Sequence, residues 1–181
     1  MASTTDVHRD TWVVALRSDM VTRPGADHEP PFRRLVLEHP GAAIALALDD
    51  GDRVFCLGQY RHPAQRRFVE LPAGLCDVPG EDPREVAIRE LREEGGLQAD
   101  EWTHLLSTWS SPGISAEQFH MYVARRLSPA DRGDFVLEHE EADMETFWVP
   151  FDELYGAVLD GRVADAPVAL AVLAARARGF A

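Results

Sequence analysis

Glu90, Glu93 and Glu94 stand at positions i, i+3 and i+4. On a helix that spacing lines up three carboxylates along one side about 100° wide. Like charges so placed repel by roughly 0.2–0.5 kcal/mol per pair, and the C-terminal half of a helix disfavours anions. Two arrangements offset the cost. One is an acidic face dissolved in water; the other is a bound Mg²⁺, a hard cation that prefers oxygen ligands. Arg89, four residues before Glu93, can take one of the carboxylates. A cation held this way lowers the pKa of a bound water and so can supply a nucleophile near neutral pH.

The elements that must position these residues are legible in outline. Asp82 can cap a helix, with Pro83 at its first position and Glu85 completing a capping-box pattern. Gly95-Gly96 stops it. The helix is expected over Pro83–Glu94, with Ala87, Ile88 and Leu91 on the side that enters the core. Before it, the apolar runs Gly41–Leu48 and Arg53–Tyr60, joined by Asp49-Asp50-Gly51-Asp52, carry a hairpin signal. Phe68–Leu71 reads as a short strand ended by Pro72-Ala73-Gly74. Trp12–Leu16 and Phe32–Leu37 read as strands on either side of the turn-rich Arg23–Pro31 stretch. Trp102–Ser107, Gln118–Ala124 and Met144–Val149 read as later strands, and Phe151–Asp160 and Ala166–Arg178 as helices. The mixed order predicts an α/β fold with helices flanking a mixed sheet. Residues 1–40 are expected to form an N-terminal β extension that can serve as a dimerisation arm, and residues 41–181 the main domain.

Composition narrows the function classes. A chain of 181 residues fits one domain with a small extension. No apolar run reaches the roughly 18 residues of a membrane span, and Met1–Asp10 lacks a signal-peptide core, so a cytoplasmic protein without a membrane partner is expected. The net charge of −13 argues against nucleic acid as partner. It leaves room for a small anionic substrate held by local arginines and cations. All 18 basic residues are arginine, which excludes a lysine nucleophile or Schiff base. Cys56 and Cys76 form neither a disulfide framework nor a zinc spacing. The seven histidines are scattered and receive no function.

The run Gly74-Leu75-Cys76-Asp77-Val78-Pro79-Gly80-Glu81, seven further residues, then Arg89-Glu90-Leu91-Arg92-Glu93-Glu94-Gly95-Gly96-Leu97 closely resembles the Nudix box, G-x5-E-x7-R-E-U-x-E-E-x-G-U, where U is aliphatic. Every fixed position from Glu81 to Leu97 matches. Six residues rather than five separate Gly74 from Glu81, which lengthens the turn without moving the glutamates. The resemblance implies a Nudix-like α/β/α sandwich and hydrolysis of a nucleoside diphosphate linked to another moiety. It implies Mg²⁺, with Mn²⁺ as substitute, held by Glu90 and Glu94, supported by Glu93 and the carbonyl of Ala73. Arg89 would orient the glutamates.

Three further stretches are similar to the ADP-ribose pyrophosphatase subfamily. Pro112 follows Leu97 by 15 residues, within Ser110-Ser111-Pro112-Gly113; read alone, it is an ordinary turn. Gln59-Tyr60-Arg61 precedes Glu70-Leu71-Pro72-Ala73-Gly74, and an arginine at a strand end can hold a diphosphate. His139-Glu140-Glu141-Ala142-Asp143-Met144 looks like the acidic loop that supplies the catalytic base, with Glu141 the expected base and Glu140 the alternative. The same resemblance implies that Ser111 and Glu117 contact the terminal ribose side. It also implies a backbone contact at Leu75 and an adenine-end contact from Arg34 across a dimer interface. Leu35 departs from the glutamate common there, which weakens the adenine expectation. The implied reaction is ADP-ribose and water to AMP and ribose 5-phosphate in a homodimer. Another nucleoside diphosphate sugar is the alternative substrate. A non-catalytic ADP-ribose sensor is the third reading, disfavoured because all three glutamates are present.

Overall fold

Strand β4 (Ala42–Ala47) sends its side chains alternately into two cores, as the two-residue period of a strand requires. Ile44 and Leu46 enter one; Ala43, Ala45 and Ala47 enter the other. The alanine side is flat, and helix α1 (Pro83–Gly95) lies over it with Val86, Ala87 and Leu91 fully buried. Helices α2 (Phe151–Leu159) and α3 (Ala166–Ala177) close the opposite core through Leu154, Val168, Ala171, Val172 and Ala175. Burying a side chain such as Leu91 contributes about 1.5–3 kcal/mol. The result is the α/β/α sandwich expected from the sequence.

The structure is a computed structural model that describes residues 3–11, 14–26, 28–133 and 143–181. Its contacts group into two compact units, Met1–Gly41 with Thr108–Gln118, and Ala42–Ser107 with Phe119–Ala181. The larger unit holds a mixed sheet in the order β7-β4-β9-β8, with β7 at Ala73–Leu75, β8 at Leu97–Trp109 and β9 at Gln118–Pro129. β4 runs parallel to β9 and antiparallel to β7. It also holds an antiparallel sheet in which β5 (Arg53–Arg61) lies between β10 (Glu145–Pro150) and β6 (Arg66–Glu70). Among the described residues no helix is long and apolar enough to cross a membrane.

The hairpin expected between β4 and β5 does not form as a ladder. Asp49 builds the turn, its carboxylate accepting the N–H groups of Gly51 at 3.0 Å and Arg53 at 2.8 Å. Beyond an isolated Leu48–Val54 bridge, the two strands join different sheets. Both edges of β4 are already taken by β7 and β9, so β5 has no free ladder to pair with. Pro72-Ala73-Gly74 likewise does more than end a strand, because Ala73 begins β7. On α1, Val86 rather than Ile88 enters the core; the buried set Val86, Ala87, Glu90, Leu91 and Glu94 is one helical stripe, and Ile88 lies off it.

In the smaller unit β1 (Ser3–His8), β2 (Ala15–Val21) and β3 (Phe32–Glu38) form an antiparallel meander. β1 was not anticipated, since its six residues are all exposed and carry no apolar alternation. β2 starts at Ala15 and continues to Val21, later than the Trp12–Leu16 expected; residues 12 and 13 lie outside the described residues. The polar Arg17-Ser18-Asp19 run hid it. Asp19 is buried there with Thr4 and Arg17 as partners. The Thr108–Gln118 segment is tied to β3 by Leu37, whose N–H donates to Ile114 at 2.7 Å and whose carbonyl accepts from Ala116 at 3.0 Å.

Candidate active site

Helix α1 begins where Asp82 accepts the N–H of Arg84 at 2.9 Å, with Pro83 next, as its capping residues demand. It ends at Gly96, whose φ of 61° is the left-handed cap that glycine adopts without cost. Between these limits the periodicity turns Glu90 and Glu94 inward. They are 9% and 6% exposed, and Glu93 is half-buried beside them. The solvated acidic face is thereby excluded for Glu90 and Glu94.

The two buried carboxylates meet β7. The Ala73 N–H donates to Glu94 Oε2 at 2.9 Å. Glu90 packs so closely on Gly74 that a Cβ there would overlap its carboxylate. Arg89 donates from Nη1 to Glu90 Oε1 at 2.6 Å and Glu93 Oε2 at 3.3 Å, and its Nε lies 3.9 Å from Glu81 Oε1. Burial opposes the charge of Arg89, yet Glu90, Glu93 and Glu81 together hold its pKa above the ordinary arginine value. Arg89 therefore takes two carboxylates and faces a third, more than the one the spacing indicated.

Glu81 was matched in sequence without a role. Its Oε2 is buried and has no hydrogen-bond partner among the described residues. The donor set is thus all oxygen, with Glu94 anchored by the Ala73 N–H, Glu90 by Arg89, and one unsatisfied Glu81 oxygen, which fits a hard divalent cation. Among the described residues no three His, Cys, Asp or Glu side chains already converge as a coordination group. The guanidinium of Arg89 bridges Glu90 and Glu93 instead.

Ala73, Leu75, Arg89, Glu90, Glu93 and Glu94 are thus gathered where α1 meets β7. Arg61, at the end of β5, is clamped by Glu70: Nε donates to both carboxylate oxygens at 2.9 and 3.2 Å, and Nη2 donates at 2.7 Å. The only trace of this clamp in the sequence is Glu70 itself, a charged residue inside an apolar strand. Glu140 and Glu141 lie outside the described residues. The backbone carbonyl of Asp143, just after them, accepts from Arg67 Nη2 at 2.9 Å, and the Gly58 carbonyl accepts from the same nitrogen at 3.1 Å, which gives Arg67 a structural role.

Arg34, Ser111 and Glu117 belong to the smaller unit. Arg34 stacks over the Phe32 ring at 4.3 Å. The Ser111 carbonyl accepts from Ile114 at 3.0 Å and Ser115 at 2.8 Å, forming the turn around Pro112. Glu117 Oε1 lies 3.6 Å from His39 Nε2, while His39 Nδ1 accepts the Gly41 N–H at 3.1 Å. An accepting Nδ1 places the imidazole proton on Nε2, facing Glu117. Nothing in the sequence around His39 marks this contact.

Two side groups carry no reactive character. Burial pushes the Cys56 thiol up to about 12. Cys76 is also raised, by burial first and then by Glu81 and Asp77, so neither is a thiolate nucleophile at neutral pH. Phe119 is in the core and Trp109 is exposed.

Residues 38–171 match the family model of the NUDIX domain. The ADP-ribose pyrophosphatase of Mycobacterium tuberculosis is 43% identical over 171 residues, covering 93% of this chain and 80% of that protein. The methanol dehydrogenase activator of Bacillus methanolicus is 34% identical, covering 88% of this chain and 83% of its own. A solved ADP compounds hydrolase superposes with a TM-score of 0.78 over 99% of this chain and 94% of its own, at 20% identity, a likeness of fold.

Proposed function

This chain belongs to the Nudix family and is a Nudix pyrophosphohydrolase, and on that premise we propose that it hydrolyses ADP-ribose to AMP and ribose 5-phosphate. The observation that carries the reaction class is the pair of buried carboxylates, Glu90 and Glu94, held against Ala73 and Gly74. The substrate is supported by likeness to a relative named ADP-ribose pyrophosphatase and by the Arg61 and Pro112 stretches.

Nudix hydrolases generally use divalent metal ions. Here Mg²⁺, or Mn²⁺ in its place, would be held by Glu90, Glu94 and the Ala73 carbonyl, with Glu93 in support. When bound, the cation offsets the diphosphate charge and makes a water nucleophilic near neutral pH. The chain's own groups do the rest. Arg61 holds the diphosphate by charge-assisted hydrogen bonds. Glu141, with Glu140 as alternative, takes the proton from the attacking water. The water oxygen bonds to one phosphorus as the bridging P–O bond breaks, and the departing phosphate keeps that bond's electrons. Arg89 orients Glu90 and Glu93. Similarity to the ADP-ribose pyrophosphatase subfamily supports Leu75, Ser111, Glu117 and, across a dimer interface, Arg34 as further substrate contacts.

In this reading residues 41–181 carry the hydrolase, and residues 1–40 form an arm that pairs two copies in a cytoplasmic homodimer. The test is a panel of nucleoside diphosphate sugars with Mg²⁺ or Mn²⁺, following nucleoside monophosphate release. Preferential release of AMP from ADP-ribose is expected. Equal turnover of a hexose nucleotide would remove the substrate assignment, and binding without any release would leave a sensor.

A further inference from the structure

The pairing of β5 with β6 places Arg61 directly opposite Arg66. Alternation along the two strands puts Arg61, Arg66, Phe68 and Glu70 on one face of the sheet. Two guanidinium groups opposite one another repel, and each is held by a different partner. Arg66 lies over the Phe68 ring at 5.1 Å. Arg61 reaches along the face to Glu70, which commits both oxygens to it.

The two ends of this pair differ in exposure. The Glu70 side chain is 11% exposed and that of Arg61 is 46% exposed. The carboxylate is therefore the fixed end, built into the sheet three residues before Ala73. The guanidinium is the end that reaches solvent. Binding through both Nε and Nη2 fixes the plane of the guanidinium as well as its position, because two parallel donors leave no rotation about either bond. Asp165, the N-cap of α3, lies within electrostatic reach of both members.

We propose that Glu70 is the positioning residue for Arg61, setting the plane in which the guanidinium meets the diphosphate of the substrate. The proposal rests on the reading of Arg61 as the diphosphate-holding arginine. Glu70 itself touches no substrate atom; it acts by removing alternative rotamers of Arg61 before substrate arrives. Gln59, buried on the same face opposite Phe68, is not a substitute, since an amide offers one neutral carbonyl oxygen and no second acceptor.

The experiment is a double-mutant cycle on the full chain with ADP-ribose as substrate: Glu70→Gln, Arg61→Ala and the two together. Glu70→Gln is expected to raise KM about tenfold while kcat changes by less than roughly threefold, since binding geometry and not the reacting atoms is disturbed. The same substitution in the Arg61→Ala background should change KM by less than about twofold. Losses that multiply in the double variant would show that Glu70 supports the fold generally, and would overturn the proposal while leaving Arg61 in its role. An unchanged KM in Arg61→Ala would overturn the Arg61 reading itself. Should Glu70→Gln fail to fold by circular dichroism, Glu70→Asp takes its place in the cycle. It keeps the charge, withdraws the fork by one methylene, and is judged by the same coupling.

Discussion

Glu94 is joined to Ala73 across the interface between α1 and β7, its Oε2 accepting the backbone N–H at 2.9 Å. The bond brings together the side-chain and backbone groups proposed to hold the cation. The carbonyl of the same peptide unit, that of Pro72, accepts the Ala45 N–H at 2.9 Å, and the bond gives a buried carboxylate a partner without neutralising it. The site is therefore organised by a strand and a helix, with little left to side-chain rotation.

Replacing that carboxylate by its amide separates the chemistry from the fold. Glu94→Gln keeps a carbonyl oxygen to accept from Ala73 but removes the charge. AMP release in Mg²⁺ is expected to fall by about 10² or more, while the midpoint of thermal unfolding moves by only a few degrees, about 1 kcal/mol. Retained turnover would remove Glu94 from the metal site.

Gly74→Ala tests the close approach of Glu90. The added methyl overlaps the Glu90 carboxylate, so that side chain or β7 must move. A loss of about 1–3 kcal/mol in stability is expected. The Mg²⁺ concentration for half-maximal activity should rise as well, because Glu90 is displaced from its place. Urea unfolding and a Mg²⁺ titration of activity measure the two effects; an unchanged titration would show that Glu90 is not a ligand.

Asp165 makes stability depend on pH. Burial first, then the charge of Glu70, pushes its carboxyl up to about 6 from an ordinary 3.8. The folded state thus favours the protonated form. Below the ordinary value the group is neutral in both states and costs nothing. The penalty grows as pH rises between the two values and is fully present above about 6. Asp165→Asn keeps an oxygen for the Val168 N–H and carries no charge. It should unfold at higher urea than the unmutated protein at pH 8, by on the order of 1–3 kcal/mol, with the gap closing by pH 4. A gap that persists at pH 4 would locate the effect elsewhere.

Much of the candidate site was readable because its signals are local. Asp82, Pro83 and Gly96 bound α1 by backbone chemistry acting within a few residues, and the three-four spacing of Glu90, Glu93 and Glu94 needs only the helical repeat. The Arg61–Glu70 fork was not readable. Its members are nine residues apart on neighbouring strands, and the pairing register decides whether they share a face. His39 and Glu117 illustrate the same limit, since a lone histidine shows no function until its tautomer and neighbour are known.

The sequence by itself determined the helix, its glutamate face and the order of elements apart from β1 and β7, because propensity, capping and periodicity are properties of contiguous residues. Only the tertiary structure decided that β4 would be enclosed by β7 and β9 and that β5 would leave for another sheet. The same holds for the grouping of Thr108–Gln118, with Ser111 and Glu117, into the unit of the N-terminal strands. Strand edges and buried carboxylates are satisfied by whichever partner the whole chain brings near. That competition among distant segments has no counterpart in local spacing.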